Sequence, residues 1–81
     1  MQEWLDRVRA ELAAVVGDEA ASYALSQADV DDLLDLARVA AHDSGERMTA
    51  PITTYLVGIA RGRHPEQSVS DLVGAVVGKQ S

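Results

Sequence analysis

An all-α domain of four short helices, with a central antiparallel hairpin, is what these 81 residues predict. Three observations lead there. Apolar residues recur at spacings of three and four in separate runs along the chain. Glycine, proline and short polar clusters stand between the runs and stop them. A hydrophobic content of 47% with 25% charged residues suits a folded globule rather than a disordered chain. With no Phe, one Trp and two Tyr, the core has to be aliphatic. Residues 1–81 read as a single helical domain, because no repeat, low-complexity tract or linker interrupts them.

The first helix is expected over about Glu3 to Val16, where Trp4, Val8, Leu12 and Val15 share a stripe widened by Leu5 and Val16. Trp4 is expected to anchor the core, as large aromatic side chains usually do. Gly17 suits a left-handed cap. Asp18–Gln27 has alanines but no strong stripe, so it reads as a single turn or an ordered connector, with Tyr23 and Leu25 tucked towards the core. The second helix begins near Asp29, capped by Ser26 or Asp29, and its stripe is Val30, Leu33, Leu34, Ala37 and Ala41. Asp43-Ser44-Gly45 forms the turn that follows. The third helix starts at Pro51, a residue that suits a first turn, with Thr49 as its cap. Its apolar face is Ile52, Tyr55, Leu56 and Ile59, and Gly58 is expected to admit a close neighbour. Arg61 to Pro65 ends it. The last helix covers about Ser68 to Val77, with Ser68 or Ser70 as its cap. Val69, Leu72, Val73, Val76 and Val77 make its stripe.

Charge excludes several functions. Thirteen acidic against seven basic residues leave a net charge of −6, which repels phosphate backbones and anionic membranes. No nucleic-acid or membrane partner is therefore expected. The amino-terminal MQEWLDRVRAEL holds no apolar signal core, and no cysteine is present, so the chain reads as cytoplasmic. No cofactor is expected, for there is neither a phosphate loop nor a GxGxxG. No metal is expected either. Asp29, Asp31, Asp32 and Asp35 lack the glycine and distal glutamate of a calcium loop, and the helix dipole already explains carboxylates in a first turn. The two histidines, His42 and His64, fit no zinc motif. Ser44 beside Asp43 and His42 is no triad, since sequence neighbours cannot supply that geometry. The basic stretch Arg61–His64 reads as a solvated helix end.

One polar cluster remains. Arg38 and His42 lie one turn apart on a helix, Glu46 and Arg47 sit in the turn, and Thr53 and Thr54 follow Pro51. A helical hairpin gathers these six at one end of the bundle, beside the first N–H groups of the third helix. Such an end suits an anion or a carboxylate. The alternative is local: Arg38 pairs with Asp35 or Glu46, and the threonines cap and bond back along their own helix.

The central stretch also resembles a known family. LDLARVAAH, then ER, then APITTYLVGIARG is similar to a segment of a small bacterial domain family of unknown function. EWLDRV near the start and the short closing helix introduced by Ser68-Val69 resemble that family too. The likeness covers most of the chain and is strongest over Leu34–Gly62. Domains of that kind stand alone or attached to a nucleotidyltransferase domain similar to molybdenum cofactor guanylyltransferase. The resemblance thus implies a link with molybdopterin-guanine dinucleotide synthesis and a nucleotidyltransferase as partner. It implies no catalyst in this chain, which lacks the glycine-rich nucleotide-binding part. The family pattern carries over onto Arg38, His42, Glu46, Arg47, Pro51, Thr53 and Thr54. The turn here is one residue longer, with Asp43-Ser44 in place of a small continuation and Met48 where a proline follows the arginine.

Two functions remain in view. The expected one is a non-enzymatic accessory or protein-interaction module. So small an aliphatic core gains from association, and a homodimer through the first and last helices is part of that expectation. The rival is a small anionic-ligand-binding domain, or a weak enzyme, using Arg38, His42 and Arg47.

Overall fold

The structure, a computed structural model, describes residues 1–78; the three carboxy-terminal positions of the expected 1–81 domain lie outside the described residues. It is all-α, with helices α1 (Gln2–Val16), α2 (Gln27–Ser44), α3 (Thr49–Arg63) and α4 (Val69–Val77) and a 3-10 turn at Ala20–Tyr23. No helix among the described residues is long and apolar enough to cross a membrane.

Local chemistry sets most of the boundaries. Ser26 caps α2 in a reciprocal box: its Oγ accepts from the Asp29 N–H at 3.0 Å, and the Asp29 carboxylate accepts from the Ser26 N–H at 3.1 Å. That box starts α2 at Gln27, ahead of the expected Asp29. Ser68 caps α4 through a single such bond, its Oγ accepting from the Asp71 N–H at 3.0 Å. Gly17 and Gly45 end α1 and α2 in the left-handed region, with φ of 79° and 76°. Asp43 and Ser44 are accordingly helical, and the turn runs instead from Gly45 to Met48. α3 begins at Thr49 rather than Pro51, which sits harmlessly within the first turn.

α2 and α3 pack as the expected hairpin, and α4 lies against both. Leu36, Val57 and Val73, one from each of these helices, form the buried centre, with Leu33, Val69, Leu72, Val76 and Val77 packed around it. The stripe of α4 is therefore inside, where its spacing placed it. On α2 the most buried side chain is Leu36, outside the expected stripe, whereas Leu34 is 57% exposed. The buried arc of α2 runs through Leu33, Leu36 and Val39, which recur every three residues and lie to one side of the expected stripe.

The other two stripes are not in the core. Ile52, Tyr55, Leu56 and Ile59 of α3 are all exposed, and the helix turns Val57 inward instead, with Thr53, Thr54 and Ala60 half-buried beside it. Gly58 has open space around it and no close neighbour. α1 packs most closely on the 3-10 turn; none of its Cα atoms comes within 8 Å of α2, α3 or α4, though its Leu5 borders a cleft with Leu33, Leu34 and Thr54. It buries the small Ala13 and leaves Leu12, Val15 and Val16 exposed. Trp4 is not a core anchor: it is 59% exposed, with the Arg7 guanidinium 5.3 Å above its ring. The connector closes through Tyr23, half-buried, whose hydroxyl donates to Asp18 Oδ2 at 2.8 Å.

Candidate functional site

The turn between α2 and α3 is built around two hydroxyls that flank the left-handed Gly45. Thr49 Oγ1 lies 2.7 Å from Ser44 Oγ, 2.8 Å from the Glu46 carbonyl and 3.1 Å from the Ala40 carbonyl of α2. Its single proton serves one acceptor at a time. Ser44 Oγ in turn accepts from the Glu46 N–H at 3.1 Å. This pair latches the start of α3 to the end of α2. Sequence reading placed Ser44 in the turn and Thr49 as a cap; two hydroxyls on either side of a glycine were the available signal.

The six expected site residues are divided by this geometry. Arg38 is exposed and donates to Asp35, as the local alternative has it. His42 is exposed, with Nδ1 2.9 Å from Asp43 Oδ1. Glu46 acts through its backbone, and Arg47 is exposed with no hydrogen bond or ion pair to its guanidinium among the described residues. Thr54 donates to the Ala50 carbonyl at 2.8 Å. It borders an apolar cleft shared with Met1, Leu5, Leu25 and Leu33. Thr53 borders clefts on another side of α3, one of them with Leu56, Leu72 and Val76. Adjacent positions on a helix point about 100° apart, so the two threonines serve different surfaces.

The first turn of α3 offers few donors to a ligand. The Thr49 and Ala50 N–H groups donate to the Glu46 and Arg47 carbonyls, both at 3.2 Å, and Pro51 has none. The concave surface at this end is bordered by Val39, Ala40, Asp43, Ser44, Thr49, Thr53 and Val76. It thus holds a carboxylate and no cation. Elsewhere, Arg61 donates to the Pro65 carbonyl and His64 approaches Glu66 at 3.5 Å, consistent with a solvated helix end. Among the acidic run, Asp29 is spent on the cap and Asp31 accepts from Gln27 at 2.9 Å. No group of three or more His, Cys, Asp or Glu is placed to hold a metal among the described residues. The hydrogen bond to Asp18, helped by partial burial and by the carboxylate's charge, raises the Tyr23 hydroxyl above its ordinary pKa of 10.0.

Fold and surface define a small helical domain with a minimal aliphatic core and large apolar side chains turned outward. The chain belongs to the family described as Domain of unknown function (DUF6457), whose model matches residues 1–80. No curated protein and no solved structure matches it.

Proposed function

We propose that this domain is a non-enzymatic protein-interaction module that works through its apolar helix faces. The observation that carries the reading is α3, whose four largest apolar side chains point away from the core and into solvent. Large exposed apolar stripes on a small soluble fold are the usual mark of a docking surface. The polar end supports the same reading from the other side. Arg38 and His42 are held by neighbouring carboxylates, and the first N–H groups of α3 are spent on the turn. The resemblance of Leu34–Gly62 to domains joined to guanylyltransferase-like proteins supports a nucleotidyltransferase of molybdopterin-guanine dinucleotide synthesis as one partner class. Arg47 and Met48, exposed at the turn, are residue types enriched in interfaces.

Amide hydrogen exchange tests this. It is followed over a concentration series of the chain alone and then with a purified guanylyltransferase-like nucleotidyltransferase. The reading expects protection of α1 or α3 to rise under at least one of these conditions. Exchange that stays unchanged across both overturns it.

A further inference from the structure

We infer that a second copy of this chain covers the exposed stripes, α1 of each copy lying along α3 of the other. This rests on the interaction-module reading and names the partner.

The two faces of α3 are the first ground. Val57 is buried on one side, and Ile52, Tyr55, Leu56 and Ile59 are 63%, 70%, 59% and 42% exposed on the opposite side. At 100° per residue, these four cluster within about 100° of arc, and Val57 lies well outside it. A helix apolar on both sides is characteristic of one buried on both sides. Here the core covers only one.

A complementary surface is present on the same chain. α1 leaves Trp4, Leu12, Val15 and Val16 exposed, at 59%, 51%, 84% and 62%. These too recur at helical spacing, and no Cα atom of α1 comes within 8 Å of α2, α3 or α4. Both helices are 15 residues long, roughly 22 Å, so each can lie along the whole of the other.

Area gives the third ground. The chain exposes 6008 Å². A compact monomer of 8.6 kDa exposes about 4,700 Å². The surplus of about 1,300 Å² exceeds the roughly 800 Å² that each partner buries in a standard stable interface. The radius of gyration agrees: 13.3 Å, against about 11.7 Å for a compact domain of this length.

A second copy fits better than an unrelated protein because each chain carries both halves of the contact in equal number. A two-fold axis pairs α1 with α3 twice and leaves neither stripe open. Pairing α3 with α3 alone would leave both α1 stripes in water.

Sedimentation of the full chain, from about 1 μM to 1 mM, tests the inference. Wild type is expected to reach twice the 8.6 kDa monomer mass. Val15→Asp and Ile52→Asp alter side chains already exposed in the single chain, so circular dichroism of each variant should keep its helix content. Each is expected to move the association midpoint at least about tenfold higher. Monomeric wild type throughout overturns the inference, and this includes the case in which α1 folds onto its own α3. A dimer indifferent to Val15→Asp overturns the pairing of α1 with α3. The module reading fails separately: a monomer whose α3 is still protected from exchange by the nucleotidyltransferase overturns the second copy only, and one protected by nothing overturns both.

Discussion

Leu36 has no exposed surface and sits where α2, α3 and α4 meet, against Val57 and Val73. Among the described residues no other large side chain is so completely buried, so the core is in effect a single layer of three aliphatic residues and their half-buried neighbours. Truncating Leu36 removes buried methyl groups and leaves a void that a small core fills only in part. Leu36→Ala is expected to cost about 3 kcal/mol. That is most of the roughly 3–5 kcal/mol a core of this size supplies. Leu34, two positions away and 57% exposed, provides the contrast: Leu34→Ala is expected to cost under about 1 kcal/mol. Urea denaturation with both variants checks the pair, and equal midpoints would contradict this core.

At the scale of elements, the caps and the glycines divide the labour. Gly45 ends α2 with φ 76°, a conformation that costs a side chain about 1–2 kcal/mol. Gly58 lies in the helical interior of α3 with open space around it, where alanine is the better helix former by about 0.5–1 kcal/mol. Gly45→Ala is thus expected to lower the thermal midpoint and Gly58→Ala to raise it; a shift of the same sign in both would refute the assignment. These features show which parts of the fold were legible beforehand. Ser26, Ser68, Gly17 and Gly45 act on backbone groups a few residues away, so sequence alone announces them. The α4 stripe was legible because its five apolar residues all lie on the side turned to α2 and α3. On α2 the buried arc runs through Leu33, Leu36 and Val39, to one side of the simple stripe, so Leu36 and Val39 fall outside it. For α1 and α3, periodicity revealed an apolar face correctly, yet it says nothing about what covers that face. The polar cluster failed to converge for a related reason. Closeness in sequence set Thr53 beside Thr54, and the turn of the helix sent them to different surfaces.

The whole molecule sets a condition on association that its charge makes measurable. Each copy carries a net charge of −6, so two copies approaching one another repel. The stripes proposed to meet are uncharged, and the molecule's shortest dimension is 20 Å, so the charges of two docked copies lie within reach of one another at low salt. The Debye length falls from about 30 Å at 0.01 M salt to about 8 Å at 0.15 M. Salt over that range therefore screens the repulsion while leaving the apolar contact in place. The association constant is expected to rise several-fold between about 10 mM and 150 mM sodium chloride. An interface held by ion pairs would show the opposite trend, because the same screening would weaken its attraction. Sedimentation equilibrium at both salt concentrations reads the sign directly. A constant that falls with salt would mean that charged side chains, and not the stripes of α1 and α3, bring the copies together.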